Sequence, residues 1–388
     1  MRLAVVREGL ALLKLADPSV AVASHGFEPA WLPVFYNPRM IFNRDLSVVI
    51  LRAYIEEYAP HRPVRGVDAL SGTGVRAVRY ALEVGDVYMH ANDIDSIACS
   101  IIKLNIDLNG VNDRVKAHCT DANALLATLR REEPILFTDT DPFGSPAPFA
   151  QQAFKATGHR GLAAFTATDL AVLEGSKSRA CARKYWARCA KTPESKEIGL
   201  RVLLAYLARS AAMSDKAVRP LLTYYADHYY RVYLLVERGA RKADRMLENM
   251  IGYALYCRES KRTTLQEQCP RDGEKGISIG PLWRGPLADD RMLSRALDLV
   301  RSKYKYLETA TRIARILEAV SSEASVCDSC IHYRLDAVAS ANAPRMAKIS
   351  DVLEKLHALG YKAVRSHFHP MAIRTNAPYS AVADAVKG

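Results

Sequence analysis

The chain has 388 residues, 49% of them hydrophobic and 25% charged, and its formal net charge is +12 at pH 7. This composition is typical of a globular protein, and no apolar run approaches the roughly 18 residues that a membrane-spanning helix needs, so no membrane association is expected. The charge is uneven, because residues 1–150 carry 15 Lys and Arg against 18 Asp and Glu, whereas residues 151–388 carry 39 against 24. One half is therefore expected to carry out chemistry and the other to contact a polyanion such as nucleic acid, unless the positive charge only maintains solubility.

The N-terminal segment and the cysteines indicate the compartment. The apolar residues of the N-terminal segment are interrupted by Arg7, Glu8 and Lys14, which is unlike a secretory signal peptide. The eight cysteines stand singly except for Cys327 and Cys330, and this spacing differs from the dense framework of a secreted disulfide-rich domain. The sequence therefore predicts a cytoplasmic protein.

Short apolar runs alternate with helix-like segments from residue 64 to residue 169. Strands are predicted over residues 64–70, 86–93, 115–122, 134–141 and 161–169, with amphipathic helices over 96–109 and 149–156. Strands and helices that alternate at this spacing are typical of an α/β fold with a doubly wound parallel sheet. Residues 221–228 and 230–238 follow each other too closely for a crossover, so they should pair as an antiparallel hairpin at the end of this domain.

The pattern changes after Arg238. Residues 239–256 and 290–320 have helical periodicity, and the stretch between them, 257–288, is predicted to be irregular. A helix over 347–359, a turn at Gly360 and a strand over 361–368 form the outline of a winged-helix-like part. We therefore predict a first domain over residues 1–240, with an N-terminal extension over 1–60, and a smaller α+β domain over 241–388.

Four of the predicted strands end in a carboxylate, namely Asp68, Asp93, Asp121 and Asp141. In an open α/β sheet the carboxyl ends of the strands lie along one edge, where ligands bind at the point at which the strand order reverses. An acid after the second strand can accept both ribose hydroxyls, and one after the third can accept an adenine amino group. The set predicts a nucleoside pocket, although each acid taken alone could instead be a helix N-cap.

Two glycines follow the first of these acids. Gly72 and Gly74 allow the backbone to approach a ligand closely before a helix begins near Val75. The third glycine of a dinucleotide-binding turn and the lysine of a phosphate-binding loop are both missing. The turn is therefore not expected to bind a pyrophosphate.

The fourth strand runs directly into Asp141, Pro142 and Phe143. An acid followed by a proline and an aromatic ring makes a concave polar edge beside a flat apolar surface, which suits a planar ring that carries an amino group. Asp139, two residues earlier, is expected either to support Asp141 or to cap a loop. The alternative for Asp141 itself is a role as a helix cap or turn former.

Several motifs occur in an order that resembles the tRNA (guanine-26) N2-dimethyltransferase family, whose members are S-adenosylmethionine-dependent class I methyltransferases. The motifs are NPRMIFNRDLSV, DALSGTGVRAVRYA, ANDID, TDAN, DTDPFGSP, TATD, GPLWRGPL and RSHFHPMAIRTNAP. The resemblance extends from about Val34 to Pro378, and its most specific part is DPFGS together with the upstream NPRM and NRD. It implies a class I, Rossmann-like methyltransferase domain over 1–240 and a tRNA-binding domain over 241–388.

The resemblance also implies roles for individual residues. Those expected to contact or shape the S-adenosylmethionine site are Arg44, Asp68, Gly72, Arg76, Asp93, Asp121 and Ala122, with Asp68 and Gly72 shaping the turn. Asp141 would be the catalytic carboxylate, and Phe143 and Phe35 would enclose a guanine that has been flipped out of the RNA helix. On its residue type alone, Phe35 could instead be a core aromatic.

The chemistry explains why an acid and a proline stand together. The exocyclic nitrogen of guanine is a poor nucleophile, since its lone pair is delocalised into the ring. The Asp141 carboxylate and a backbone carbonyl can accept its two hydrogens and turn the lone pair toward the methyl donor, and Pro142 holds the preceding residue extended. Asp141 would then stabilise the positive charge that grows on the nitrogen and take up the proton.

The stretch from Gly175 to Lys191 combines basic and aromatic side chains after the fifth strand. Its basic residues include Lys177, Arg179, Arg183, Lys184 and Arg188, and its aromatic residues are Tyr185 and Trp186. Long cations beside aromatic rings suit contacts with RNA phosphates and bases. The alternative is a solvated helix face with Trp186 in the core.

No metal site is predicted. Some members of the family carry a four-cysteine zinc ribbon before the GPLW motif, but the corresponding segment here keeps only Cys257 and Cys269. These two could form a disulfide instead, whereas Cys327 and Cys330 supply at most half of a zinc site and leave their own pairing open. His367 and His369 are expected to be buried or surface histidines rather than metal ligands.

The combined prediction is an enzyme that transfers one or two methyl groups from S-adenosylmethionine to the exocyclic amine of guanine 26 in tRNA, with no obligatory protein partner. The nearest alternative is an enzyme of the same chemistry that acts on another guanine, such as position 10. A further alternative is a non-catalytic RNA-binding protein with an inactive pocket, which the intact Asp93, Asp121 and Asp141 disfavour.

Overall fold

The structure, a computed structural model, describes residues 3–17, 22–23, 26–27, 31–59, 63–270, 276–327, 329–343 and 345–387. Parts of the predicted N-terminal extension over 1–60 therefore lie outside the described residues. The same holds for residues 271–275 of the stretch predicted to be irregular. Within the described ranges, no helix is long and apolar enough to cross a membrane.

The described part of the N-terminal extension forms two short antiparallel pairs and one long helix. β1 (Leu3–Glu8) pairs with β2 (Ala11–Ala16), β3 (Val22–Ala23) pairs with β4 (Gly26–Phe27), and α1 spans Ile41–Tyr58. Most side chains of α1 are buried, polar ones included. A helix that is buried all round lies inside the protein, and α1 therefore brings its polar side chains into the interior.

A seven-stranded sheet forms the centre of the first half. Its strands are β5 (Val64–Asp68), β6 (Val87–Asp93), β7 (Val115–Cys119), β8 (Ile135–Thr140), β9 (Thr157–Ala167), β10 (Lys216–Ala226) and β11 (Tyr229–Arg238). Their order in the sheet is β10-β11-β9-β8-β5-β6-β7. The pairs from β9 to β7 are parallel, whereas β11 runs antiparallel to both of its neighbours. The five predicted parallel strands and the predicted hairpin are confirmed.

Helices connect the strands of this sheet. They are α2 (Val75–Arg79), α3 (Ser96–Leu108), α4 (Ala122–Glu132), α5 (Ala147–Ala156), α6 (Leu170–Leu173), α7 (Ser178–Tyr185) and α8 (Ser195–Ala212). The helices predicted over 96–109 and 149–156 correspond to α3 and α5. The third strand ends at Cys119, earlier than predicted, because Asp121 caps α4 by accepting a hydrogen bond from the Ala124 N–H at 2.9 Å.

The second half combines helices with two small sheets. Its elements are α9 (Ala240–Met250), β12 (Ile251–Cys257), β13 (Arg262–Gln266), β14 (Ile277–Trp283), α10 (Asp290–Arg301), α11 (Ala310–Val326), β15 (Tyr333–Arg334), α12 (Leu335–Asn342), α13 (Ile349–Ala358), β16 (Ala363–Arg365), β17 (Ala372–Thr375) and α14 (Tyr379–Ala385). One sheet has the order β13-β12-β14 and the other β15-β17-β16. The predicted tail of helix, turn and strand is present as α13, Gly360 and the shorter β16.

The helix predicted over 239–256 is wrong beyond residue 250. Residues 251–257 form β12, which pairs with β13 on one side and β14 on the other. Every second side chain of β12 is buried, which is the period of a strand, and tertiary pairing prevails over the helical interpretation of this run. The prediction of an irregular stretch over 257–288 is also wrong, since β13 and β14 lie within it.

The hydrophobic core crosses the predicted domain boundary. Neighbouring residues of β9 contribute to two different clusters, Leu162 to the first and Ala163 to the second, as expected for the two faces of a sheet. The first cluster continues into α10 and α11 as far as Val320, and the second continues into β14 and Phe368. The tail contributes a further cluster of its own, which begins at Leu335. The boundary near residue 240 stays a prediction.

Candidate active site

The predicted carboxylates lie along one edge of the sheet, where the strand order reverses between β5 and β8. The parallel register sets Asp68 beside Asp139 on one side and beside Ala91 on the other. The strand ends remain tied beyond the ladder, because the Ala69 N–H donates to the carbonyl of Asp139 at 3.0 Å. This edge is where ligands bind in open α/β sheets.

Gly72 forms the tight turn that follows β5. Its φ is +55°, a left-handed conformation that favours glycine, and its N–H donates to the Asp93 carboxylate at 2.9 Å. A Cβ at this position would lie 3.2 Å from the carbonyl oxygen of Phe35. The backbone of Phe35 therefore lies against the turn, and Asp93 helps to hold the turn in place.

Asp93 and Asp121 differ in their surroundings. Asp93 is half-buried, and its second oxygen accepts a hydrogen bond from the Asp95 N–H at 3.1 Å. Asp121 is exposed and caps α4, the role that was its alternative interpretation, with buried Ala122 as the first residue of that helix. A cap through one carboxylate oxygen is compatible with a ligand contact, so the predicted cofactor role of Asp121 stays open.

Asp68 is a buried acid with an unsatisfied carboxylate. It is 0% exposed, and among the described residues neither carboxylate oxygen has a hydrogen-bond partner. Burial, with the negative charge of Asp139 added to it, raises the pKa of Asp68 to about 7. Buried polar atoms are almost always hydrogen-bonded, so an unsatisfied acid at a ligand edge indicates that a bound group completes the site.

Asp141 is fixed by Arg76, a residue of α2. The Arg76 Nε donates to Asp141 Oδ2 at 2.9 Å, and two side chains of α1 hold the same guanidinium: Asn43 accepts from it at 2.7 Å and Ser47 at 3.1 Å. No helix begins at Asp141, because α5 starts at residue 147. The structure thus brings Arg76 and Asp141 together and excludes the helix-cap alternative for Asp141.

Asp139 supports the pair of Arg76 and Asp141 from inside the protein. It is fully buried and accepts two hydrogen bonds from Arg231, both at 2.8 Å, and one from the Tyr80 hydroxyl at 2.6 Å. Burial raises the pKa of Asp139, but the charges of Arg231 and Arg76 outweigh this effect and hold it below its usual range. Arg76 is also 3.8 Å from Asp139, so Asp139 supports Asp141 through a shared arginine rather than capping a loop.

The loop from Asp141 to Ser145 is held near its C-terminal end by hydrogen bonds to Thr168. Gly144, with a φ of +81°, donates its N–H to the Thr168 hydroxyl at 2.8 Å and accepts the Thr168 N–H at 2.9 Å. Pro142 is buried, whereas Phe143 is 69% exposed. The loop therefore presents a carboxylate and an exposed ring from a backbone that is held at both ends.

The rings of Phe35 and Phe143 are in direct contact. Their centroids are 4.2 Å apart and their planes form an angle of 79°, an edge-to-face pair. Phe35 is half-buried and faces the exposed Phe143, so it is not a core aromatic. For a base to lie between the two rings, as predicted, the rings must first move apart.

Arg44 has a partner that the sequence did not reveal. Its Nε and Nη2 donate to the two carboxylate oxygens of Glu8 at 2.7 and 2.6 Å, and Nη2 also reaches the Asn37 carbonyl at 3.2 Å. Burial opposes ionisation of Glu8, but Arg44 and Arg79 lower its pKa to about 2. This ion pair ties β1 to α1, and the predicted contact of Arg44 with the cofactor stays a prediction.

The basic stretch lies at the surface. Its five predicted cations are all exposed, namely Lys177, Arg179, Arg183, Lys184 and Arg188. Trp186 is 73% exposed, so the alternative that placed it in the core is wrong. Tyr185 is buried instead, and its hydroxyl bridges Ser145 and Asp169 at 2.7 Å each, which fixes the stretch against the active-site loop.

The cysteines pair differently from the possibility that the sequence raised. Disulfides join Cys99 to Cys119, Cys181 to Cys189, and Cys327 to Cys330. Cys257 and Cys269 are free, so the disulfide considered between them is not formed.

Over the part of the chain that the structure describes, no three or more His, Cys, Asp or Glu side chains come together as a metal site. His367 is half-buried and its ring lies 2.6 Å from the Glu323 carboxylate, and the His369 ring accepts the Met371 N–H at 3.0 Å.

Sequence reasoning missed several residues that build the site. Asn43 and Ser47 lie one helical turn apart on α1, and this i, i+4 spacing within the NPRMIFNRDLSV motif was the available signal. Arg231 stands in the apolar run of β11, where a charge is expensive without a partner. Glu8 appeared only as an interruption of an apolar segment, and no local pattern connects it to Arg44.

The sheet order, with one reversed strand between β9 and β10, and the acids along the carboxyl edge define a class I methyltransferase. The chain matches the family described as N2,N2-dimethylguanosine tRNA methyltransferase over residues 19–387. It therefore belongs to this family.

Similar proteins cover the chain from end to end. A tRNA (guanine(26)-N(2))-dimethyltransferase of Aeropyrum pernix is 44% identical over 100% of this chain and 97% of its own length. The protein of the same description from Saccharolobus islandicus is 39% identical over 100% of this chain and 99% of its own length. Among solved structures, Trm1 from Pyrococcus horikoshii in complex with S-adenosyl-L-methionine aligns with a TM-score of 0.86 and 32% identity, covering 99% of this chain and 100% of that chain.

Proposed function

We propose that this protein transfers one or two methyl groups from S-adenosylmethionine to the exocyclic amine of guanine 26 in tRNA. The observation that carries the proposal is the half-buried Asp141 carboxylate, which Arg76 orients at the ligand edge beside the exposed ring of Phe143. The relatives described as tRNA (guanine(26)-N(2))-dimethyltransferases support the choice of the nucleotide. A guanine at another position, such as 10, is the alternative that the same geometry would serve.

The residues of the edge fit the cofactor. The unsatisfied carboxylate of Asp68 would take the ammonium group of the methionine part, Asp93 beside the Gly72 turn would take the ribose hydroxyls, and Asp121 and Ala122 would take the adenine. S-adenosylmethionine supplies an electrophilic methyl group on a sulfonium. The solved complex of the Pyrococcus horikoshii protein supports this choice of cofactor.

Asp141 acts on the attacking nitrogen. Its carboxylate accepts a hydrogen from the guanine amine, and a backbone carbonyl beside Pro142 can accept the second, so that the lone pair turns out of the ring plane. Positive charge grows on the nitrogen as it forms its bond to the methyl carbon, and the fixed carboxylate stabilises that charge and takes the proton. Arg76 holds the carboxylate in one orientation until the base arrives.

The base must leave its stack to reach Asp141, which costs a few kcal/mol. Phe143 and Phe35 would recover part of this cost by stacking, since an aromatic ring contributes about 1–3 kcal/mol for each base. The incoming base would replace their present edge-to-face contact.

RNA binding is assigned to the basic surfaces. The exposed cations of the stretch 175–191 lie beside the active-site loop, and the excess of positive charge falls in residues 151–388. We keep the domain boundary near residue 240, with the second half as the main tRNA contact, as part of this proposal. A tRNA substrate also supports the proposed cytoplasmic location.

A labelling experiment tests the function. The purified protein is incubated with a tRNA transcript and methyl-labelled cofactor, and the digested nucleosides are separated. N2-methylguanosine followed by N2,N2-dimethylguanosine is expected, and none should form in a transcript with adenosine at position 26. Label that persists in that transcript would favour another guanine, and no label at all would contradict the enzymatic proposal.

The raised pKa of Asp68 predicts a pH dependence of stability. Between about pH 4 and pH 7 the folded protein holds a proton on Asp68 that the unfolded chain has lost, so the free energy of unfolding of the cofactor-free protein falls as the pH rises through this window. Asp68→Asn stays neutral, and its melting temperature should exceed that of the wild type at pH 8 and match it at pH 4. Scanning calorimetry measures the difference.

The cofactor provides the control for this prediction. S-adenosylmethionine at pH 8 should raise the melting temperature of the wild type more than that of Asp68→Asn, because only the ionised acid attracts the ammonium group. Equal shifts in both proteins would remove Asp68 from the cofactor site.

The disulfide between Cys99 and Cys119 is expected to contribute both to the stability of the fold and to cofactor binding. It joins the first turn of α3 to the end of β7, and the sulfur of Cys99 lies 3.4 Å from the carbonyl oxygen of Asp93. The bond therefore fixes the spacing between the loops of Asp93 and Asp121. Replacing both cysteines by alanine should lower the free energy of unfolding by roughly 3 kcal/mol, the value for closing a loop of this length, and should weaken cofactor binding.

Urea unfolding and calorimetric titration with S-adenosylmethionine measure these two quantities. Cys269→Ser, which changes an exposed free cysteine, is the matched control and should leave both unchanged. A double variant that binds the cofactor as tightly as the wild type would show that the bond only stabilises the fold.

A further inference from the structure

A basic groove lies beside the active site and is not part of it. It has a volume of about 800 Å³ and is bounded by the stretch 175–191 on one side and, on the other, by Arg258 in the turn after β12 and Ile277 of β14. Four cations line it, namely Arg179, Arg188, Lys191 and Arg258, and no acidic residue is among its lining. A groove of this kind attracts a polyanion.

The cations of the groove are available to a ligand. All four are exposed, and within the described residues none of them forms a salt bridge, whereas most arginines of α10 and α11 are paired with acids, as Arg291 is with Glu57 and Arg301 with Glu318. Guanidinium groups bind phosphate through two parallel hydrogen bonds. The groove therefore offers phosphate-binding groups that are not engaged by acids, unlike most arginines of α10 and α11.

Trp186 is presented to this groove in an uncommon way. It has a φ of +53°, a left-handed conformation that is costly for a bulky residue, and its ring is 73% exposed. Strained backbone that exposes an apolar ring is typical of binding sites. An exposed indole among arginines suits stacking on a nucleobase, which an acidic peptide does not supply.

Three contacts hold the tryptophan loop rigid. The disulfide between Cys181 and Cys189 closes the loop around Trp186. Arg188 exchanges two backbone hydrogen bonds with Gly280, at 2.8 and 2.9 Å. A Cβ at Gly175 would lie 2.2 Å from the carbonyl carbon of Ala190, so the two ends of the stretch pack backbone against backbone. The loop is thus organised before any ligand binds, which lowers the entropic cost of binding.

The groove is linked to the catalytic loop through one residue. Tyr185 precedes Trp186, is buried, and contacts Ser145 and Asp169 through its hydroxyl at 2.7 Å each. Ser145 lies four residues after Asp141. A nucleotide bound at Trp186 would therefore lie close to the RNA segment that delivers the target guanine.

We infer that this groove binds a second, unpaired nucleotide of the substrate tRNA, with its base stacked on Trp186 and its neighbouring phosphates held by Arg179, Arg188, Lys191 and Arg258. The inference rests on the proposed function, because it takes tRNA as the substrate. The site is distinct from the pocket of the target guanine, so it anchors the RNA and does not take part in methyl transfer.

Binding and kinetics of point variants test the inference. Trp186→Ala should raise the Kd for a tRNA transcript about tenfold, as expected for the loss of one base stack, and should raise KM while leaving kcat at saturating tRNA within twofold. Arg188→Gln should also raise the Kd and should reduce the slope of log Kd against log salt by about one, since it removes one phosphate contact. Trp186→Ala should leave that slope unchanged.

Matched variants, together with polyglutamate as an acidic peptide, distinguish a nucleotide site from a peptide site. Trp186→Phe keeps a stacking ring and should bind nearly as well as the wild type, while Met213→Ala and Arg130→Gln, which alter exposed residues elsewhere, should have no effect. If Trp186→Ala binds tRNA as the wild type does, the inference is wrong. If Trp186→Ala loses affinity for polyglutamate but not for tRNA, the groove binds an acidic peptide and the inference is also wrong. Failure of the wild type to methylate tRNA would contradict the proposed function but would leave the binding comparison readable.

Discussion

Replacing Asp141 by asparagine is expected to lower the rate of methyl transfer by a factor on the order of 10²–10³, the usual effect of removing a general base or a fixed group that stabilises transition-state charge. Asparagine keeps the shape of the side chain and can still contact Arg76. It cannot take the proton or offset the charge that grows on the nitrogen. The affinities for S-adenosylmethionine and for tRNA should change little, because Asp141 acts mainly in the transition state.

Single-turnover kinetics with labelled cofactor measure this effect without interference from product release. Asp113→Asn is a suitable control, since it removes one negative charge from a side chain that is 74% exposed. The control should react at the rate of the wild type. An unchanged rate in Asp141→Asn would remove Asp141 from the mechanism, and a lost affinity for tRNA would assign it to binding instead.

Replacing Arg231 by methionine is expected to lower the free energy of unfolding by about 3–5 kcal/mol, the usual cost of breaking a buried ion pair. Asp139 would keep its charge at a position that is 0% exposed, and among the described residues its carboxylate would keep the Tyr80 hydroxyl and the more distant Arg76 as partners. The loss should exceed that of any surface pair. Urea unfolding monitored by circular dichroism measures it.

A second substitution distinguishes this explanation from a simple packing defect. Asp139→Asn combined with Arg231→Met removes both charges and should recover part of the lost stability, because the cost lies mainly in the uncompensated carboxylate. The control Arg291→Met breaks the surface ion pair between Arg291, which is 71% exposed, and Glu57. It should lower the free energy of unfolding by about 1 kcal/mol or less. A double variant less stable than Arg231→Met would contradict the electrostatic explanation.

The elements that could be predicted from the sequence are those specified locally. The strand β8 is a short run in which all six residues are buried, and its end is marked by an acid and a proline. The hairpin of β10 and β11 follows from the two residues between the strands. Because the carboxyl ends of parallel strands share an edge, the positions of Asp68, Asp93 and Asp121 followed once the strands were recognised.

The parts that could not be predicted depend on partners far apart in the chain. Asp139 and Arg231 are 92 residues apart, and Glu8 and Arg44 are 36 apart. Nothing near either residue indicates the contact, since the pairing is set by how the elements pack. The disulfide between Cys99 and Cys119, 20 residues apart, joins the first turn of α3 to the end of β7, and the proximity of these two elements depends on the sheet register.

β12 was wrongly predicted to be part of a helix. The apolar residues of the segment 251–256 extend the helical periodicity of α9, and their alternation indicates a strand only when β13 and β14 are present to pair with it. The same limit applies to Trp186, whose exposure results from a left-handed residue at the end of α7. Burial in the core was the alternative to the predicted RNA contact, and the 73% exposure of Trp186 excludes it.

The central claim is that Asp141 touches the amine of the target guanine. The most direct measurement is the distance between the Asp141 carboxylate and the exocyclic nitrogen of guanine 26 in a crystal structure with tRNA and S-adenosylhomocysteine. We expect about 2.6–3.2 Å, the range of a direct hydrogen bond, with the rings of Phe35 and Phe143 separated around the base. A guanine bound elsewhere, with Asp141 still held only by Arg76, would contradict the account.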